Sequence, residues 1–479
     1  MSIRPYISIL GGKPFLYFLI VSSLSLFLII FLRTGLVPAM VLSFAPLTGY
    51  MLIRMIERPL LSFLGLFVVN YFIMGLTRYI PGIPAGIVMD AFLLLTLMFV
   101  LFRTRDRTVG WSDSRNLLTL FSGIWLVYCI LLVFNPETSL ANWAAGVRGL
   151  ALYLFLFPLF TSLLLNQYKF LKIFLFVWSL LTLFAVIKAL VQKFFGFDAA
   201  ELYWLNVTGG RSTHIIFSGA RYFSFFTDAA SFGCNMGMSL VVFSVTAFYI
   251  RPKSLQLYYI AIALLAGYGM MISGTRAAMA VPFVGFTFFI LLSKQWKIII
   301  PGIILIIMVF VFFKFTYIGH GNTEIRRMRS AFNVTQDASF KLRNTNQDKM
   351  RVFMQEHPFG IGIGEAKRTE PGDYMYQLPT DSSLVYIWVE TGIVGLVFFI
   401  FIFLVTFVKG SYDILFKIQN RQLRGLISAL LAGTAGLLVS AYGNEILQQF
   451  PNGPIVYMCM AFIFLGRKFD KAISDEETT

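Results

Sequence analysis

Acidic residues are scarce in this 479-residue chain: 23 Asp and Glu stand against 39 Lys and Arg, and charged residues of both signs make up only 13%. An ordinary soluble domain carries about 25% charge, so a water-soluble globular protein is excluded. Cysteine and histidine are rarer still, at three each. Cys129, Cys234 and Cys459 fall within or beside apolar runs and none lies in a long polar loop, which argues against a disulfide framework. His214 and His320 have no companion at ligand spacing, so no zinc site is expected. A small-residue cleavage site is also missing behind the first apolar run, which follows only Arg4 and Lys13. A retained first helix is expected there rather than a cleaved leader.

What the chain has in abundance is apolar surface: 58% hydrophobic and 17% aromatic residues, with a mean hydropathy of +0.77. Runs of roughly 20 apolar residues, enough to cross a hydrocarbon layer of about 30 Å, recur along almost the whole length. They predict an all-α, polytopic membrane protein with about fourteen transmembrane helices in a single transmembrane domain over 1–479. The expected spans are 14–32, 36–53, 59–76, 84–102, 117–134, 148–166, 171–192, 228–249, 256–272, 277–293, 297–315, 383–408, 425–442 and 453–466. The net charge of +16 would suggest nucleic acid in a soluble protein. Here its distribution reads as topology, and no nucleic-acid partner is expected. Arg54 and Arg58, then Arg103 to Arg115, Lys169 and Lys172, Arg251 and Lys253, Lys294 and Lys297, Lys409 to Arg424 and Arg467 to Lys471 fall on one side. That side is cytoplasmic by the excess of positive charge, and both termini lie there. Two long loops, 194–227 and 316–382, then fall outside.

Two arginines sit at the outer ends of expected helices: Arg221 in Arg221-Tyr222-Phe223-Ser224 and Arg276 in Ser273-Gly274-Thr275-Arg276. A guanidinium at that depth costs free energy unless an anion or carboxylate offsets it, and it binds phosphate oxygens bidentately. They point to a phosphate site facing outside. The bland alternatives are an interfacial anchor for Arg221, and for Arg276 a pairing with Asp228 or with carbonyls of the turn at Gly274. The second long loop opens basic and polar around Arg326 to Arg329, and its middle, 340–359, has helical apolar spacing at Met350, Phe353 and Met354. It continues through His357-Pro358 into Gly360-Ile361-Gly362-Ile363-Gly364, where glycines allow close approach to a ligand or another helix. That run lacks the Lys-Ser/Thr of a nucleotide loop.

Four segments in order carry a family resemblance: Arg221-Tyr222-Phe223-Ser224 through Gly233; Ser273-Gly274-Thr275-Arg276-Ala277-Ala278; Arg351 through His357-Pro358 to Gly364; and Asp381-Ser382-Ser383 leading to Val389-Glu390-Thr391-Gly392. Over 220–400 the chain resembles the bacterial O-antigen ligase and O-antigen polymerase superfamily of membrane glycosyltransferases. The resemblance implies glycosyl transfer at the periplasmic face of the bacterial inner membrane. The donor would be a glycan linked to polyprenyl pyrophosphate. The acceptor would be a second glycan, lipid A core or a protein. Membrane lipid and a chain-length regulator are further partners, with no cofactor and no metal. Arg221 and Arg276 would clamp the pyrophosphate, with Arg148 as a weaker third candidate whose alternative role is an interfacial anchor.

In lipopolysaccharide ligases the motif ahead of the last loop-exit helix begins with histidine and asparagine, where this chain has Asp381 and Ser382. The departure favours polymerisation of repeat units over ligation to lipid A core or protein, and makes Asp381 the candidate general base. Its alternative role is an N-cap for the helix that follows. Glu365 and Asp373 are further candidates for base or acceptor binding. His357 is a third, for which a structural role where the helix stops is the preferred reading. Tyr374, Tyr376, Tyr386 and Trp388 suit sugar faces or serve as interface anchors. A lipid-glycan flippase stays open as a different class, although the distinctive residues gather on one face, which favours an enzyme.

Overall fold

The computed structural model describes residues 13–34, 36–80, 82–105, 110–216, 219–332, 338–367, 375 and 378–478. The protein is all-α and polytopic. Every expected span lies on a helix, and among the described residues nine helices are long and apolar enough to cross a membrane. Shorter apolar stretches cover Tyr17–Phe27, Arg276–Leu292 and Ile299–Phe315. Some ends differ from expectation for local reasons. The span expected from 148 starts at Leu140, because Ser139 caps that helix by accepting from Asn142 N–H at 3.1 Å. The last helix runs from Asn452 to Thr478, because Asp470 on its polar extension accepts from the Gln419 and Asn420 amides at 3.0 and 2.8 Å. Hydropathy alone does not report such an anchor.

The chain divides into two compact units. One contains residues 1–66 and 91–109, with the helices Lys13–Thr34 and Leu36–Glu57 at its start. Ser62 and Thr96 share a buried hydroxyl hydrogen bond of 2.7 Å within it, and Arg54 pairs with Glu57 at 2.7 Å.

The other unit, 67–90 and 110–479, carries every candidate residue. Its centre is the pair of helices Ala229–Tyr249 and Arg421–Ser440, each 83% buried along its apolar window. A fully buried polar network locks this centre. Asn235 donates to Asn452 Oδ1 at 2.7 Å, Asn452 donates to Ser231 Oγ at 2.9 Å, and Tyr71 donates to Asn235 Oδ1 at 3.2 Å. Where both lipid and helix are apolar, such interhelical hydrogen bonds and close packing hold the bundle together.

The glycine run forms a knot. Gly392 breaks the helix Ser383–Tyr412 with φ 72°, and the chain at Pro358–Gly360 packs into the break. A Cβ on Gly392 would lie 2.0 Å from the Pro358 carbonyl oxygen, and one on Gly360 would lie 2.5 Å from the Glu390 carbonyl. Ile361 N–H donates to the Val389 carbonyl at 3.0 Å, and Asn135 Nδ2 donates to the Gly360 carbonyl at 2.8 Å. These glycines therefore admit protein backbone, not a ligand. Gly392→Ala and Gly360→Ala should each cost on the order of 3 kcal/mol, read as a lower melting temperature in detergent. Gly321→Ala, where an added Cβ meets nothing within 4 Å, should melt like the parent.

Candidate functional site

Arg221 lies in the turn between the short strand pair Ile215–Ile216 and Gly219–Ala220 and the helix Ala229–Tyr249. Backbone carbonyls and a hydroxyl hold its guanidinium. Nη1 donates to the Thr213 carbonyl at 3.0 Å, Nη2 to Thr275 Oγ1 at 2.8 Å and Nε to the Ser273 carbonyl at 3.3 Å. Thr275 in turn donates to the Ala229 carbonyl at 3.0 Å, so the Ser273-Gly274-Thr275-Arg276 turn is tied to the start of the helix that Arg221 precedes. Burial lowers the Arg221 pKa; Asp228 opposes that shift, while Arg327 and Arg276 add to it by repulsion. The guanidinium stays charged all the same.

Asp228 caps the helix Ala229–Tyr249, accepting from Ser231 N–H at 2.8 Å and from Gln449 Nε2 at 3.5 Å.

Asp381 is reached through its two serine neighbours. Ser382 is the N-cap of the helix Ser383–Tyr412, accepting from Val385 N–H at 3.4 Å, so Asp381 is not the cap. Ser383 Oγ accepts from the Ile446 and Leu447 amides at 2.9 and 3.0 Å, which seats this helix start on the 441–447 loop. Asp381 itself has φ 44°, a left-handed conformation that Asp tolerates better than most residues. Partial burial raises its carboxyl pKa, and Arg343 pulls the other way.

One cavity of about 1000 Å³ brings Arg221, Arg276 and Asp381 together. The same wall includes Arg326, Arg327 and Arg343 from the second long loop, and Tyr442, Glu445 and Gln449 from the segment before the last helix. The basic 326–329 stretch was visible in the sequence, but nothing in hydropathy tied it to this cavity. Tyr442 to Gln449 carries a polar signal between two apolar runs that periodicity reads only as a connection.

The other candidates lie elsewhere. Arg148 pairs with Asp90 at 2.7 Å, and Tyr153 donates to the same carboxylate at 2.8 Å, so its charge is offset away from the cavity. Glu365 is buried and accepts from Ser139 N–H at 2.8 Å and Asn142 Nδ2 at 3.2 Å, holding the start of the helix Leu140–Val147. His357 pairs with Glu137 at 2.8 Å and stacks on Phe353, the structural role its position before Pro358 suggests. Tyr386 is buried, and neither it nor Trp388 lines the cavity. Asp373, Tyr374 and Tyr376 lie outside the described residues.

The model of the O-antigen ligase family matches residues 261–400. Over that stretch the chain is similar to the O-antigen ligase family, which supports the resemblance to the O-antigen ligase and polymerase superfamily. No curated protein matches it. The match supports O-antigen ligase or polymerase-type function in general, a glycosyltransferase-like reaction between a lipid-linked glycan and an acceptor.

Two groups that shape the arginine turn were not picked out as site residues in the sequence. Arg78 is buried, donates to the carbonyls of Ser224, Phe226 and Thr227, and lies 4.5 Å over Trp204 and 4.4 Å over Phe223. His214 is buried beneath Trp204 and Phe223. Its Nδ1 lies 2.8 Å from the Gly210 carbonyl, and its Nε2 accepts from Ala229 N–H at 3.1 Å. Burial lowers the His214 pKa to about 4, against the hydrogen bond that its Nδ1 donates to the Gly210 carbonyl. A histidine depressed in the folded state contributes stability that is full above the unfolded value near pH 6.5 and is lost as pH falls through about 4. The melting temperature should therefore fall on acidification across that window. His214→Gln, whose amide oxygen can still accept from Ala229 N–H, should show a shallower fall in thermal scans at matched pH.

Proposed function

We propose that this protein is a metal-independent glycosyltransferase that polymerises the repeat units of a surface polysaccharide from polyprenyl-pyrophosphate-linked oligosaccharide, working at the periplasmic face of the bacterial inner membrane. The observation that carries this reading is the meeting of Arg221, Arg276 and Asp381 in one cavity, although 160 positions separate the first from the last. The donor's anomeric carbon already bears a good leaving group. The site has to stabilise the charge that appears on pyrophosphate and accept a proton from the attacking hydroxyl. The two guanidinium groups meet the first need, in a setting where burial strengthens their pull on an anion.

The acceptor hydroxyl oxygen attacks the anomeric carbon. The bond from that carbon to the pyrophosphate oxygen breaks, its electron pair leaves with the pyrophosphate, and the hydroxyl proton passes to the Asp381 carboxylate. Direct displacement inverts the anomeric centre. A carboxyl raised above its ordinary value by partial burial is a stronger base. The size of the cavity suits a sugar and its pyrophosphate, and the wall residues Asn344, Gln347 and Tyr442 offer hydrogen bonds to hydroxyls.

The test is product formation by purified protein supplied with a polyprenyl-pyrophosphate oligosaccharide. A ladder of longer glycans with release of lipid pyrophosphate is expected. Arg221→Ala and Arg276→Ala should each lose about 10²- to 10³-fold in rate, and Asp381→Asn about 10²- to 10⁴-fold, at equal folded amounts. The acid limb of the wild-type rate should lie above the range of an ordinary aspartate, about 3.9, and vanish in Asp381→Asn. Release only when lipid A core or protein is added would make the enzyme a ligase. No release with any acceptor would leave a lipid-glycan transporter as the better reading.

A further inference from the structure

Arg327 stands out in the cavity for what surrounds it. It is carried by the helix Thr323–Ser330, far along the chain from Arg221, and is 9% exposed. Its Nη1 donates to the carbonyl of Ala220, the residue just before Arg221, at 2.9 Å. Two glycines with positive φ flank its guanidinium, Gly219 at 111° and Gly274 at 62°. A Cβ on Gly219 would lie 3.2 Å from Nη2, and one on Gly274 would lie 2.7 Å from Nη1 and 3.2 Å from Arg221 Cγ. Both glycines thus leave room for a second guanidinium beside the first. Two like charges this close in a partly buried place repel, and Glu324 on the same helix offsets part of the Arg327 charge. Burial is the main cause of the lowered Arg221 pKa, and repulsion from Arg327 adds to it.

The charge of the reaction explains the arrangement. A pyrophosphate esterified to both lipid and sugar carries two negative charges. When the sugar leaves, the lipid pyrophosphate acquires a further charge on the oxygen that held it. Two arginines match the substrate; a third matches the charge that develops on departure, which is where stabilisation accelerates the reaction.

We propose that Arg327 is the third guanidinium of the pyrophosphate site, delivered by the second long loop to bind the departing pyrophosphate together with Arg221. This rests on the proposed glycosyltransferase reading. It makes the 316–332 segment part of the catalytic site, so donor binding and the placement of that loop are linked.

The alternative is that Arg327 only pins the Ala220 carbonyl. A lysine at 327 keeps a donor for that carbonyl and a positive charge, but it cannot bind phosphate bidentately. Full-length protein would be titrated with polyprenyl pyrophosphate and, separately, with polyprenyl monophosphate, alongside melting curves and glycan transfer. Arg327→Lys should melt like wild type, bind the pyrophosphate at least about tenfold more weakly with less change toward the monophosphate, and lose kcat more than KM. Arg327→Ala should lose more, while Lys341→Ala, exposed and outside the cavity, should match wild type in all three readouts. Should Arg327→Ala fail to fold, Arg327→Lys alone decides. Wild-type affinity for the pyrophosphate in Arg327→Lys, at any melting temperature, would overturn the proposal. Weakened binding in a wild-type background that transfers no glycan would retain Arg327 as an anion ligand and remove the glycosyltransferase reading. Absence of lipid pyrophosphate binding by the wild type would remove both.

Discussion

Guanidinium groups held by backbone carbonyls organise the working part of this molecule. Backbone carbonyls in the turns of an apolar bundle find no donor in lipid and have to be satisfied within the protein. Arg78 collects three such carbonyls between Ser224 and Thr227, and Arg221 collects those of Thr213 and Ser273. Each arginine loses hydration on burial and recovers part of it in these contacts. Each carbonyl that would otherwise be orphaned gains a charged donor, a stronger bond than a neutral one. Because carbonyls and not carboxylates hold Arg221, its charge is fixed in place without being cancelled. A site meant to receive an anion needs that property.

The same economy of acidic residues shapes the rest of the unit. Several carboxylates of the unit are committed to backbone amides or cations: Asp228 caps a helix, Glu365 holds the start of another, and Glu445 pairs with Lys367 at 2.8 Å. Arg148 is the counter-case, paired with Asp90 and so removed from anion binding. Asp381 differs from all of these. Ser382 takes over the capping that an aspartate commonly performs, and Ser383 binds the 446–447 amides. Two hydroxyls thereby position a carboxylate whose own conformation is left-handed. That division of labour within three consecutive residues gives the proposed base its setting.

Rigidity comes from the glycine knot. With Gly392 interrupting its helix and Gly360 packed against the Glu390 carbonyl, the end of the long loop is fastened where it rejoins the bundle. The start of that loop is fastened differently, through Arg327 on Ala220 and Lys193 on Glu324 at 2.5 Å. A loop anchored at both ends can line a cavity with Arg326, Arg327 and Arg343 at defined positions, which an unanchored loop of that length would not do.

By itself the sequence determined the class and the rough extent of the helices, and it offered the candidate residues. Hydropathy, charge bias and short motifs are local, and local signals survive without knowledge of packing. Arg221, Arg276 and Asp381 were legible because each sits in a short motif at a helix end. The tertiary structure decided which residues meet. Arg148 stood as a weaker third arginine until Asp90 was found paired with it, and Glu365 stood as a candidate for base or acceptor binding until Ser139 and Asn142 were found against it. Arg327 looked like one of several loop charges until two glycines from distant segments were found around it. Charge and hydropathy give the cost of placing a group in the bundle, whereas its partner comes from a distant part of the chain and exists only once the helices have packed.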